Sequence, residues 1–526
     1  DHLKVNVNVK GSVNNNRFAE TGAIWAAATY NPTLPVYSGN HAFGGYLEAL
    51  DNVGEPVNAA VLNPLGYIKQ NKSTSKVTRF VGNADVDYRV HFLPDLKFHA
   101  TLGYDYAEGK GKVYVPAEAM QYYTTGGRDY SYGPQKNTNR LLTTYLNYNK
   151  YLDSWKSNID ATVGYDYQFW KSTSPLYSEL NTLGAVQSTS AATDQRHALI
   201  SYYARLNYTF DSRYMLTATV RRDGTSRFNK DNRWGTFPSV ALAWRVSEEA
   251  FLKDNTVLSN LKLRASYGVT GQQDGIGNYN YLPVYTYSQT GAEVQFGNQF
   301  INTYRPEAYV SDLKWETTDQ TNVGLDLELF SGRIALTVDW YNKKTRDLLL
   351  NASIPYTSGY SKIYKNVGSI RNRGWEFSLS TVNIAARNFR WTSDFNISFN
   401  KNRILSLNDD ETRLLTAVTQ GWEMSKVNLY MAEVGSSAAQ FIGLIWDGVY
   451  NYDDFNLVGD KYVLKSDRAA NGSARDMIQP GDIKYRDVDG DGTITDKDVV
   501  VIGRALPIHI GGFNNNFTWG RFNLNV

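Results

Sequence analysis

A transmembrane antiparallel β-barrel, all-β and with long extracellular loops, is the architecture three features of the chain point to. Strand candidates alternate apolar and polar residues, short turns alternate with long polar loops, and no apolar run reaches the ~18 residues of a membrane helix. The clearest unit places Val86, Tyr88, Val90 and Phe92, then Leu96, Phe98, Ala100, Leu102, Tyr104 and Tyr106, on one face of a hairpin turning at Pro94-Asp95. Asp85, Asp87, Arg89 and His91, with Lys97, His99, Thr101, Gly103 and Asp105, fall on the other. A Tyr-rich apolar face beside a charged one suits a wall with lipid outside and water inside.

Each element is justified the same way. Leu3, Val5, Val7 and Val9 alternate with Lys4, Asn6, Asn8 and Lys10 in a strand over 3–13. The hairpin above follows, then strands over 141–152 and 155–170, where Ile159, Ala161, Val163, Tyr165, Tyr167 and Phe169 share a face. Strands over 197–210 and 214–222 meet at Asp211-Ser212-Arg213, and strands over 239–246 and 261–270 flank a short helix capped by Ser247, with Glu248 and Glu249 at its dipole-favoured end. Strands over 323–330, 333–341, 375–381, 389–400, 508–519 and 521–526 complete about fifteen. Every second connection is short. The others (11–82, 109–138, 171–195, 223–237, 271–315, 347–373 and 402–507) read as extracellular loops, the last as a small folded excursion. An odd count and a last strand cut short predict that 1–526 is a fragment of a larger barrel, because an open edge in lipid leaves backbone groups unpaired.

Composition narrows the function. Net charge is +2 with 20% charged residues, so no basic face calls for nucleic acid. Mean hydropathy is −0.45 despite 42% hydrophobic residues, which a barrel tolerates because only alternate residues face lipid. The 38 Tyr and 12 Trp suit the headgroup boundary, where a ring is apolar and its OH or NH still needs a partner. Cysteine is absent, which removes disulfides and thiol chemistry. The six His are scattered and no nucleophile motif is present, so the chain does not read as an enzyme; His91 and His99 read as lumen-lining.

The sharpest local motif runs from Asp487 to Asp498. Against a twelve-residue calcium loop, Asp487, Asp489 and Asp491 fall at positions 1, 3 and 5, Gly492 at the turn, Thr493 at the carbonyl position and Asp498 at the end. These five residues are the candidate ligands of a structural Ca2+; the other reading is an acid-rich turn without metal. Arg221, Arg222, Arg227, Lys230 and Arg233 could meet an anionic substrate or lipopolysaccharide phosphate, or form a solvated loop paired with Asp223 and Asp231. Tyr122, Tyr123, Tyr130 and Tyr132, and Tyr279, Tyr281, Tyr285 and Tyr287, could stack on sugar rings, serve loop packing or contact a lid.

Four stretches carry a family resemblance: Arg221–Phe228 with Arg233–Ser239; Asn366–Glu376; Pro480–Tyr485 with its acidic sequel; and Leu3–Val9 followed by Tyr30–Tyr37. Together the chain resembles SusC/RagA-type TonB-linked outer-membrane transporters of Gram-negative bacteria. The resemblance implies a barrel of about 22 strands whose plug, N-terminal extension, first strands and closing strands lie outside this chain. It implies a SusD-like surface lipoprotein as lid, TonB acting through the missing N-terminal region, a dimer of the transporter–lipoprotein pair, and import of oligosaccharides or peptides. The alternative is a passive porin or adhesin-like barrel; a barrel hydrolase would need a nucleophile and base that the sequence does not offer.

Overall fold

The computed structural model describes residues 2–57, 59–253, 255–287, 293–408, 412–419 and 426–526. Fifteen strands pair with their chain neighbours, in chain order, in one antiparallel sheet. They are β1 (Leu3–Phe18), β2 (Lys72–Arg89), β3 (Leu96–Val115), β4 (Arg128–Leu152), β5 (Ser157–Ser174), β6 (Thr193–Phe210), β7 (Tyr214–Thr225), β8 (Trp234–Arg245), β9 (Leu258–Gln272), β10 (Glu316–Leu329), β11 (Ile334–Arg346), β12 (Ser369–Ala385), β13 (Phe389–Ser406), β14 (His509–Trp519) and β15 (Phe522–Asn525). Each matches a strand expected from periodicity.

The residues group into two compact units. In the first (1–211, 216–238 and 273–314), register aligns Val7, Ala84, Leu102, Leu142, Tyr167 and Ile200 in one row. The adjacent row, pointing to the other face, is Asn6, Asp85, Thr101, Thr143, Asp166 and Ser201. In the second unit (212–215, 239–272 and 315–526), Leu261, Leu327, Leu336, Leu379, Phe395 and Phe513 align beside Lys262, Asp326, Thr337, Ser378, Asn396 and Gly512. The apolar rows are not a protein core. Val7 is 65% exposed, Leu102 61%, Val163 62% and Phe513 64%. Leaving such side chains in water forgoes roughly 1.5–3 kcal/mol each, and a contiguous face of them is the mark of a surface that lipid covers.

The connections alternate as expected. Tight turns join β2–β3, β4–β5, β6–β7, β10–β11, β12–β13 and β14–β15, and Asp211 and Ser212 both take left-handed conformations (φ 49 and 54) that match the twist of a hairpin. Several boundaries differ from expectation. β2 ends at Arg89, so Val90, His91 and Phe92 belong to the turn. β4 begins at Arg128 and β3 runs to Val115, which makes most of the expected loop 109–138 strand. Beyond the lipid belt both faces are wet, alternation fades, and backbone pairing alone carries the strands outward. The expected helix capped by Ser247 is instead a 3-10 turn, Val246–Glu248, with Arg245 at its cap. Glu249 does not serve the helix end: it accepts from Arg213 (2.8 Å), Tyr214 (2.6 Å) and Trp244 (3.0 Å), and those tertiary donors outcompete it.

The long connections are folded. Residues 19–71 carry α1 (Gly22–Thr29) and α2 (Pro64–Gln70). The fully buried Asn63 caps α2 through Leu65 and Gly66 N–H and donates to the carbonyls of Val36 (2.8 Å) and Leu47 (3.1 Å). The excursion over 402–507, of which 409–411 and 420–425 lie outside the described residues, holds a four-stranded sheet and its own core of Tyr450, Phe455, Leu464, Ala470 and Ile478.

Candidate functional site

The polar face of the sheet is cross-linked by charge. Arg264 on β9 makes two parallel bonds to Asp326 (2.8 and 2.9 Å) and reaches Asp339 at 3.0 Å, tying β9, β10 and β11. Arg221 on β7 holds Asp223 (2.7 Å), Asp166 (3.2 Å) and the buried Ser201 hydroxyl (2.7 Å). Thr101 donates to Asp85 (2.7 Å), and the His99 ring bridges Thr101 (2.9 Å) and Asp87 (2.7 Å). His99 thus lines the polar face as expected. His91 does not: it sits in the turn, stacked on His2 at 4.0 Å.

At the loop end of the first unit this face forms a cleft of about 560 Å³. Two register rows build it: Arg79, Ala107, Asn137, Ser172 and Gln195, and beside them Asp105, Asn139, Trp170 and His197. Trp170 stacks on His197 with centroids 4.4 Å apart and planes 12° from parallel. Arg79 grips Asp105 through two bonds (2.9 and 2.8 Å), and Asn139 donates to the same carboxylate. Arg227 closes the rim, bonded to Asp274 (2.6 Å) and Asn278 (3.2 Å), and Asn278 donates to Gln195 (3.2 Å). Lys171 lies 3.6 Å from Asp194. The cations of this cleft are therefore already matched by carboxylates, and what it offers a ligand is aromatic surface and neutral amides. Sequence reading missed it because its residues come from separate strands, and only register brings them together.

The basic motif over 221–233 resolves into ties of this mouth. Arg221 pairs with Asp223 as expected but also with Asp166, Arg227 pairs with Asp274, and Arg222 lies over the Trp234 ring at 5.6 Å. The expected Asp231 partner forms no ion pair among the described residues. Four of the tyrosines make loop contacts: Tyr122 lies under Arg128 at 4.1 Å, Tyr130 and Tyr132 pack on Tyr177, and the Tyr279 hydroxyl accepts from the Arg196 N–H.

In the acidic loop, carboxylate oxygens of Asp487, Asp489 and Asp491 lie within 4.8 Å of one another. Gly490 and Gly492 turn the chain with φ 76 and 82, and Asp487 accepts from both glycine N–H groups (2.7 and 2.8 Å). Asp498 stands apart from that trio. It is fully buried, and its two oxygens accept from the N–H groups of Thr495 (2.7 Å) and Val488 (2.8 Å), bonds that hold its carboxyl below the usual carboxylate range. The N–H of Thr493 donates to Asp491 (3.0 Å). The trio gathers hard oxygen donors of the kind a divalent cation takes, and Lys497 at 3.6 and 3.8 Å partly offsets its charge.

Comparison with known proteins gives a consistent result. The family described as "TonB dependent receptor-like, beta-barrel" matches residues 20–495. TonB-dependent receptor SusC of Bacteroides thetaiotaomicron is 36% identical over 479 residues, 86% of this chain and 47% of that protein. TonB-dependent receptor P39 of Formosa agariphila is 34% identical over 483 residues, 82% of this chain and 43% of that protein. The solved RagAB peptide transporter shares the fold, with a TM-score of 0.74 at 20% identity over 100% of this chain and 55% of that one. The chain spans about half the length of the curated relatives it matches.

Proposed function

The chain belongs to the family of TonB-dependent receptor β-barrels, whose place is the outer membrane of Gram-negative bacteria, and on that premise we propose that the whole protein imports nutrients at the expense of TonB. The observation that carries this reading is the wall itself: one face exposed and apolar, the other a continuous field of hydrogen-bonded polar groups, with large folded connections at one end only. The protein acts by transport and not by chemistry on its substrate. A SusD-like lipoprotein covers the long-connection end as a lid, TonB works through sequence outside this chain, and transporter–lipoprotein pairs dimerise.

Of the two substrate classes the sequence suggests, oligosaccharides are favoured over peptides. Trp170 supplies a flat apolar surface, while Asn137, Asn139, Gln195 and Asn278 offer both donors and acceptors to hydroxyl groups, and the paired charges leave no unmatched cation for an anionic ligand. Uptake of neutral oligosaccharides by cells carrying the full-length protein should require TonB, and Trp170→Ala should lower uptake at limiting substrate about five- to tenfold, the worth of one stacking contact. TonB-independent uptake would favour a passive porin.

The acidic loop binds calcium as a structural pin, through Asp487, Asp489 and Asp491 with Thr493 and Asp498 completing the turn. Asp489→Ala should make residues 480–500 more open to protease in calcium, as chelation should in the unsubstituted protein. Cleavage indifferent to both contradicts the metal.

A further inference from the structure

The loop-side ends of β11, β12 and β13 carry a group of cations that lies outside the cleft at Trp170. Register sets Lys344 opposite Arg371 and Arg371 opposite Arg403, while Arg373 stands opposite Lys401. All five share the apolar face. Following that face toward the centre of the sheet, Arg373 is followed by Trp375 and Lys401 by Phe399, and Trp375 is in register with Trp340. Trp340, Trp375 and Phe399 thus form a short aromatic girdle, the feature that marks where the lipid-facing band ends and the headgroup region begins. The cations lie immediately beyond it, on the side of the long connections. Lys344, Arg373, Lys401 and Arg403 are exposed and Arg371 is half-buried.

Like charges directly opposite one another on neighbouring strands repel. Among the described residues none of the five makes an ion pair. The acid nearest in register, Asp319 opposite Lys344, is held by Arg346 and by the Tyr267 hydroxyl. Beside the group, between the outer end of β13 and residues 504–508, lies a cleft of about 480 Å³ to which Lys401, Arg403 and Arg504 contribute and no carboxylate does. Its other wall is Leu506, Pro507 and Ile508, with Leu506 and Ile508 exposed. Cations above an aromatic girdle, next to an apolar wall, complement a molecule that has phosphates at the membrane surface and acyl chains below it.

We propose that this cluster binds the phosphorylated headgroup of an outer-leaflet glycolipid, lipopolysaccharide, fixing the barrel against its surrounding lipid. The proposal rests on placement in the outer membrane and is independent of what is transported. It is tested on the full-length protein in mild detergent, by native mass spectrometry with bisphosphorylated lipid A, dephosphorylated lipid A and inorganic phosphate as probes. Lipid A should bind, and the combined substitution Arg371→Gln, Arg373→Gln, Lys401→Gln and Arg403→Gln should weaken it about a hundredfold. Lys343→Gln, on the opposite face, should leave binding unchanged, and dephosphorylated lipid A should bind as weakly to the unsubstituted protein as lipid A does to the combined variant. Folding is followed by heat-modifiable electrophoretic mobility; should the combined variant fail to fold, Arg373→Gln with Lys401→Gln removes one opposed pair and should weaken lipid A at least tenfold. Equal lipid A binding by the variant overturns the proposal, as does equal binding of the dephosphorylated lipid. Displacement of lipid A by an equal concentration of inorganic phosphate overturns it too, since the site would then recognise a free anion.

Discussion

Glu48 is a residue whose chemistry its surroundings displace strongly. It lies in the folded 19–71 connection with its carboxylate accepting the Asn63 N–H (3.1 Å), and burial pushes its pKa up from 4.5 to about 7. The neutral acid is therefore the form the fold prefers. Its contribution to stability is full below the ordinary carboxyl range and is lost as pH rises through about 7. Hydrogen exchange at the Leu65 and Gly66 amides, which Asn63 caps, should quicken between pH 5 and 8 beyond the intrinsic rate change. Glu48→Gln should flatten that dependence, because an amide oxygen accepts the same N–H without ionising. An unchanged profile in the variant would assign the effect elsewhere. Nothing in the sequence around Glu48 announces this, since its burial depends on Asn63, Tyr30 and Leu47 meeting from separate turns.

Among elements, the strands show what alternation can and cannot tell. Ile159 to Phe169 declares its two faces unaided, and β5 follows that pattern residue by residue against β4 and β6. Where the strand rises above the lipid, as at Arg128 to Asn139, both faces are polar and the period vanishes, so β4 looked half its length. Register is equally silent in sequence, and with it the cleft at Trp170. It also sets Gly164 opposite Tyr203, whose ring lies over the glycine where a Cβ would project. Gly164→Ala should therefore displace that ring and lower stability by about 1–3 kcal/mol, read as a fall in the temperature at which heat-modifiable mobility is lost. Tyr203→Ala combined with Gly164→Ala should recover part of the alanine's cost, since the collision is then gone. By contrast, the acidic loop was legible to its individual glycines, because its spacing is local.

For the molecule as a whole, one proposition supports the rest: the Val-, Leu- and Tyr-bearing face meets lipid and the Asp-, Asn- and Arg-bearing face meets water. The family match, the cleft and the basic cluster above the girdle take their meaning from that assignment. This chain has no cysteine, so single cysteines at Leu102, Val163, Leu242 and Phe513, and at Thr101, Asp166, Lys262 and Asn396, can each carry a spin label in outer-membrane vesicles, in the full-length protein with any cysteine elsewhere replaced by serine. Collision with dissolved oxygen should exceed collision with a water-soluble nickel chelate at the first set, and the order should reverse at the second. Equal access of the nickel chelate to both sets would contradict the account.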